Sequence, residues 1–164
     1  MQKELVIFLD FDGVLHHIFP VKGKTDQENE MFHYVDYLEK AMKVLSDKFE
    51  LKIVFATSWK EKFSFDDLKG FFEDYPACYN AFIDSTPNIK SDDQGYKWRE
   101  AVKWMEDNNY SGNYIIIDDY APMWDGCDSN NIVVCQDKFD DVEISSLLEK
   151  TSLMLNQKKG FSLK

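Results

Sequence analysis

Five short, mostly apolar runs are spaced along the chain, and polar or turn-forming residues end each of them. They cover residues 5–9, 51–56, 81–84, 114–117 and 132–135. Apolar runs of about four to eight residues between turn signals are typical of strands buried in a parallel sheet. We therefore predict a strand at each position.

Between these runs, apolar residues recur at the spacing of an amphipathic helix, as Val35, Leu38 and Met42 do. Ser91-Asp92-Asp93-Gln94 has the form of a capping box at a helix start. Helices are predicted over about 31–47, 65–72, 91–107 and 140–157. The alternation of strands and helices predicts an α/β fold with a doubly wound, mostly parallel five-stranded sheet.

The first run leads directly into an acidic pair, Asp10 and Asp12, followed by Gly13. Carboxylates are costly to bury unpaired, so a cation or a catalytic task must justify this pair. Gly13 permits a sharp turn out of the strand. An acidic turn without chemistry is the alternative, and we favour the functional interpretation.

Polar residues also follow the second and fourth predicted strands. Thr57 and Ser58 end one, and Asp118 and Asp119 end the other. Adjacent carboxylates repel each other unless a cation lies near them. Hydroxyls and free backbone N–H groups can hold phosphoryl oxygens, although a simple helix cap is equally expected at Thr57. Since the carboxyl ends of parallel strands share one edge, all these groups can converge there.

Residues 14–30 carry the proline, glycine and polar content of a loop or small flap beside the first strand. His16 and His17 stand at its start. They can bind metal or move protons, but no partner spacing is visible, so we favour a polar base for the flap.

At 164 residues, the chain is expected to form one domain over 1–164 that buries about two thirds of its unfolded surface. A net charge of −11, with Arg99 as the only arginine, argues against an extended nucleic-acid-binding surface. No basic leader and no apolar run near 18 residues is present, so neither secretion nor a membrane span is expected. The three scattered cysteines fit reduced thiols, and a cytoplasmic location is expected.

The motif Asp10-Phe11-Asp12-Gly13-Val14, with Thr57 second and Asp118-Asp119 last, resembles the haloacid-dehalogenase (HAD) phosphatase superfamily. Finer features lie at residues 56–59, 86–87 and 97–105. They resemble the HAD domains of Swiss Army Knife RNA-repair proteins and the phosphatase half of polynucleotide kinase-phosphatases. On that comparison Lys97 falls on the family lysine, and Lys90, near the same helix start, remains the alternative.

The resemblance implies a Mg²⁺ cofactor. Its expected ligands are the carboxylates of Asp10 and Asp118, the backbone carbonyl of Asp12, and Asp119 directly or through water. It also implies a capless site, or one covered only by the small flap.

The resemblance further implies that Asp10 attacks phosphorus to form an aspartyl-phosphate. Asp12 would act as acid and base, a role for which we expect a raised pKa among crowded carboxylates. Thr57 and Lys97 would hold the transition-state oxygens. The expected substrate contacts are Gly13, Ser58 and Lys90.

The function implied is a Mg²⁺-dependent phosphomonoester hydrolase, acting on nucleic-acid ends or, alternatively, on a small metabolite or nucleotide. A non-catalytic HAD fold that binds a partner or accepts a phosphoryl group is the second alternative. The chain departs from the polynucleotide phosphatases in having Tyr120 after the acidic pair and a single arginine.

Overall fold

The computed structural model describes residues 1–89 and 93–157. Its strands are β1 (Lys3–Leu9), β2 (Phe49–Phe55), β3 (Phe82–Ser85), β4 (Asn113–Asp118) and β5 (Ile132–Val134). They form one sheet in the order β3-β2-β1-β4-β5, and every neighbouring pair is parallel. The predicted α/β fold is confirmed, and the sheet is wholly parallel.

The helices are α1 (Val35–Ser46), α2 (Phe65–Gly70), α3 (Pro76–Ala81), α4 (Tyr96–Asp107) and α5 (Asp141–Asn156). The start predicted for α4 at residue 91 is wrong, because residues 93–95 form a turn and Gly95 (φ 82°) precedes the helix. Ser91 and Asp92 of the predicted capping box lie outside the described residues. Helix α3 was not predicted, and its last residue, Ala81, had been assigned to the third strand. No described helix is long and apolar enough to cross a membrane.

Both faces of the sheet are covered, which explains why β1 is apolar from Leu5 to Leu9. Leu5, Ile7 and Leu9 pack into the larger core, which includes side chains of α1 and α5. Val6 and Phe8 point to the opposite face and pack into a second core with side chains of α4. Successive side chains of a strand point to opposite faces, so β1 holds the two layers together.

The position of β1 determines where a site can form. The chain leaves β1 for β2 on one side, and later crosses from β3 to β4 on the other side. Ligands of open α/β sheets bind where the strand order reverses in this way. Leu9 pairs with Ile117, so Asp10 and Asp118 follow on adjacent strands at the carboxyl edge.

The segment 14–34, which contains the predicted flap (14–30), has neither a strand nor an α-helix. A bridge between Asp12 and His16 closes its first turn, where the Gly13 N–H donates to the His16 carbonyl at 2.9 Å. The Tyr34 N–H donates to the Leu15 carbonyl and closes its far end. The flap therefore starts and finishes beside the end of β1.

Candidate active site

Three acidic residues meet at the carboxyl edge, and we call them the carboxylate cluster: Asp10, Asp118 and Asp119. Each places a carboxylate oxygen within 4.8 Å of the others. Asp10 is held by its backbone N–H, which donates to the Ile117 carbonyl at 3.0 Å. Asp10 and Asp118 are buried. Hard oxygen donors gathered at this spacing suit a cation such as Mg²⁺.

Lys97 reaches the same cluster from the first turn of α4. A helix that connects two parallel strands runs in the opposite direction to them, so the first turn of the helix lies near the carboxyl ends of the strands. The Lys97 Nζ atom lies 2.7 Å from Asp118 Oδ2 and 3.4 Å from Asp10 Oδ1. Burial disfavours the ammonium, but Asp10 and Asp118 outweigh it and raise the pKa of Lys97. Lys90, the alternative, lies outside the described residues.

The acids of the cluster are hard to ionise together. Burial raises the pKa of Asp10, and the nearby Asp118 carboxylate raises it further. Burial and a hydrogen bond with Asp118 raise the pKa of Asp119 to about 7. A bound divalent cation favours the ionised forms, so the electrostatics of the cluster fit a metal site.

Asp118 is anchored by donors as well as by Lys97. The Trp124 indole N–H donates to Asp118 Oδ2 at 2.9 Å, and the Tyr120 backbone N–H donates to Oδ1 at 3.1 Å. Trp124 is fully buried, so its ring also belongs to the core. Sequence analysis did not assign Trp124 to the site, and its position six residues after Asp118 was the available signal.

Asp12 lies beside the carboxylate cluster but its side chain is turned elsewhere. Its Oδ1 atom lies 2.7 Å from His16 Nε2, and Trp59 Nε1 donates to both oxygens at 3.2 and 3.3 Å. We call these three residues the Asp12 clamp. Asp12 remains open, since 41% of its side chain is exposed.

The environment of Asp12 corrects an expectation. Its pKa is lowered, chiefly because the His16 hydrogen bond stabilises the carboxylate against the cost of burial. The raised pKa predicted from crowding is wrong for Asp12. The crowding acts on Asp10 and Asp119 instead, because the Asp12 carboxylate contacts His16 and Trp59 rather than other acids.

Thr57 and Ser58 follow β2 at the same edge, where the Ala56 N–H donates to the Leu9 carbonyl at 2.8 Å. Thr57 is fully buried and caps a 3-10 helix, Ser58–Glu61, by accepting the Trp59 N–H at 3.3 Å. The interpretation of Thr57 as a helix cap is therefore confirmed. Ser58 is exposed. Their contacts with a phosphoryl group stay predictions.

Gly13 allows the flap turn and the carboxylate cluster to touch. Its φ is +74°, and an added Cβ would lie 2.3 Å from Asp119 Oδ2. Only glycine tolerates both the backbone angle and this approach. The structure thus accounts for Gly13 through Asp119, while its predicted contact with substrate stays a prediction.

The tandem histidines have different surroundings. His17 Nδ1 lies 2.9 Å from Asp137 Oδ2, and its Nε2 lies 3.0 Å from the Tyr34 hydroxyl. His17 therefore anchors the flap base, as the favoured interpretation had it. His16 instead contacts Asp12, which the sequence signalled only through the four-residue spacing between them.

A buried ion pair keeps Lys97 in place. Lys60 Nζ lies 2.8 Å from Glu100 Oε1 and donates to Thr86 Oγ1 at 2.9 Å. Glu100 Oε2 accepts the Ile89 N–H at 2.8 Å. These contacts join the segments after β2 and β3 to α4, one helical turn after Lys97.

Comparison with known proteins identifies one family. The model of the HAD domain in Swiss Army Knife RNA repair proteins matches residues 6–139, most of the chain. No curated protein and no solved structure gave a match. The matched range includes every residue of the carboxylate cluster and of the Asp12 clamp.

Proposed function

The chain belongs to this HAD family, which is phosphatase-like, and we propose that it is a Mg²⁺-dependent phosphomonoester hydrolase. One observation carries the proposal: the carboxylate cluster and Lys97 meet at the strand ends, with Asp12 directly beside them. Nothing else in the described residues gathers three metal-binding side chains in this way.

The cluster supplies the ligands for the cofactor. Asp10, Asp118 and Asp119 would hold Mg²⁺ through carboxylate oxygens, with the Asp12 backbone carbonyl as a further ligand. The ion would offset the charge of a phosphate dianion and help orient it. Lys97 adds a positive charge on the same side, and Thr57 offers a hydroxyl at the end of β2.

Asp10 is the proposed nucleophile. One of its oxygens forms a bond to phosphorus while the bond to the leaving oxygen breaks, which produces an aspartyl-phosphate. Water then attacks phosphorus, the bond to Asp10 breaks, and inorganic phosphate is released. Two displacements at a positioned carboxylate replace one harder reaction with water.

Asp12 is the proposed acid and base. It gives its proton to the leaving oxygen in the first step and takes a proton from the attacking water in the second. The lowered pKa of Asp12 favours its carboxylate, which is the form that takes a proton from water in the second step, and the protonated form that the first step uses is the minor one at neutral pH. The donors in the clamp stabilise the anion that remains.

An aryl phosphate assay tests the proposal. Activity on p-nitrophenyl phosphate should require Mg²⁺, disappear with EDTA, and fall by at least about 10⁴-fold in Asp10→Asn, as expected for removal of a nucleophile. Activity that survives both treatments would contradict the mechanism. A folded protein with no activity and no Mg²⁺-dependent thermal shift would instead favour the non-catalytic module.

For the substrate, we propose a phosphorylated nucleic-acid end. The matched family occurs in RNA repair proteins, and the exposed Asp12 side chain leaves room for a large leaving group. The net charge of −11 favours recognition of the end alone. Oligonucleotides with 3′- or 5′-phosphates should be hydrolysed better than the matching mononucleotides and sugar phosphates; equal rates would favour a small-molecule phosphatase.

A further inference from the structure

We propose that His16 is a positioning residue that orients the Asp12 carboxyl for proton transfer to the leaving group. The inference rests on the proposed phosphatase function, and it assigns a role to a histidine that lies outside the family motifs. Its basis is geometric: the contact with Asp12, the burial of the ring, and its packing against two aromatic rings.

The contact has a definite direction. His16 Nε2 lies 2.7 Å from Asp12 Oδ1. The carboxylate that remains after Asp12 has given up its proton only accepts hydrogen bonds, so Nε2 donates to it in that state. The other ring nitrogen, Nδ1, faces the Phe32 backbone N–H at 3.5 Å and is free to accept from it. Each ring nitrogen therefore has a partner that matches its role.

The His16 ring is buried and packs against two aromatic rings. Its side chain is 2% exposed, against 41% for Asp12. The ring lies edge-on to Phe32, with 5.4 Å between centroids, and 5.7 Å from Trp59. Phe32 itself adopts a positive φ of 60°, and its N–H is directed at the histidine. His16 is therefore shielded from solvent, while the Asp12 carboxyl that it contacts can reach a substrate.

Trp59 completes the clamp from another element. It lies in the 3-10 helix after β2, whereas His16 lies in the flap turn after β1. Two donors from separate elements define the direction of one carboxyl group. Misplacing a catalytic group by about 1 Å can cost on the order of 10²-fold in rate.

The leaving group separates a positioning role from a structural one. A p-nitrophenolate leaves without receiving a proton, whereas the oxygen of benzyl alcohol needs one. Comparing kcat/KM for p-nitrophenyl phosphate and benzyl phosphate isolates the first step. This is because kcat/KM depends only on the steps up to and including phosphoryl transfer to Asp10. Loss of Asp12 orientation should therefore affect benzyl phosphate selectively.

The variants are His16→Leu, which keeps apolar bulk without a donor, and His16→Gln, which keeps an N–H donor at a similar reach. His16→Leu should lower kcat/KM for benzyl phosphate by about 10- to 100-fold and for p-nitrophenyl phosphate by less than about 3-fold. His16→Gln should restore most of the loss. The matched control is His17→Leu, a buried histidine bound to Asp137, which should leave the ratio of the two substrates unchanged.

The outcomes are distinct. An equal fall on both substrates in His16→Leu, or no fall on benzyl phosphate, would overturn the inference. Retained hydrolysis of p-nitrophenyl phosphate shows that the variant is folded. If the unmodified protein hydrolyses neither substrate, or if Asp10→Asn remains active, the proposed function itself fails.

Discussion

Two groups of acidic residues stand side by side at the carboxyl edge of the sheet, and they differ in what surrounds them. The carboxylate cluster joins three acids and one lysine, and the pKa values of Asp10 and Asp119 are raised. The Asp12 clamp joins one acid to an imidazole and an indole, and the pKa of Asp12 is lowered. The same residue type thus has its pKa shifted in opposite directions in two neighbouring places.

The difference follows from the elements that supply the neighbours. The cluster is built on adjacent strands β1 and β4, so its acids are held close by the sheet register. The clamp is built from the flap turn and the segment after β2, which bring an imidazole and an indole instead of further acids. Substitutions in each half should therefore have separate effects.

Asp118→Asn and Asp12→Asn should distinguish the carboxylate cluster from the Asp12 clamp most strongly. Asp118→Asn should abolish the thermal shift caused by Mg²⁺ and lower kcat/KM by about 10³-fold on every phosphate ester, because several kcal/mol of charge stabilisation are lost. Asp12→Asn should keep the thermal shift and mainly slow alkyl esters. Loss of the Mg²⁺ response in both variants would contradict the division.

Gly13→Ala should disturb the contact between the flap turn and the carboxylate cluster. Its Cβ would collide with Asp119, so we expect a loss of about 1–3 kcal/mol in the free energy of unfolding and weaker Mg²⁺ binding. Gly23→Ala is the control, since Gly23 has a similar φ of +88° and open space around it. Urea unfolding and Mg²⁺ titration give both quantities. Equal losses in the two variants would mean that the collision has no effect.

Asp119 gives the cluster a pH dependence. Its pKa is about 7 in the folded protein and lower in the unfolded chain. Between about pH 4 and 7 the folded state therefore holds a proton that the unfolded state has lost, and stability falls as the pH rises. Asp119→Asn should make the decline in Tm from pH 5 to 8 smaller by about 3–6 °C in metal-free buffer. Added Mg²⁺ should offset the decline in the unmodified protein, and an unchanged slope in Asp119→Asn would contradict this assignment.

The smallest effects should come from the two indole donors. Trp124→Phe and Trp59→Phe each remove one N–H from an aspartate while keeping an aromatic ring. The first should raise the Mg²⁺ concentration needed for half-maximal activity by about 3- to 10-fold, and the second should lower the benzyl to p-nitrophenyl ratio by a similar factor. Exchange of these two phenotypes would show that the donors are wrongly assigned.

Periodicity was enough to predict the five strands and the edge where the site forms, because buried parallel strands leave continuous apolar runs that end at that edge. It could not predict α3 or the turn before α4, where short elements depend on tertiary contacts. The position of Lys97 followed from family resemblance, whereas its contacts with Asp10 and Asp118 needed coordinates. The Asp12 clamp stayed hidden because Phe32 and Trp59, which enclose His16, are distant in sequence.

The ammonium of Lys97 has a consequence for handling the protein. It is a covalently attached counter-ion, 2.7 Å from Asp118 and 3.4 Å from Asp10. The folded chain thus carries its own partial substitute for a dissolved cation. We expect chelator treatment to switch activity off reversibly without unfolding the domain, so that metal-free stocks can be stored and reactivated by adding the ion.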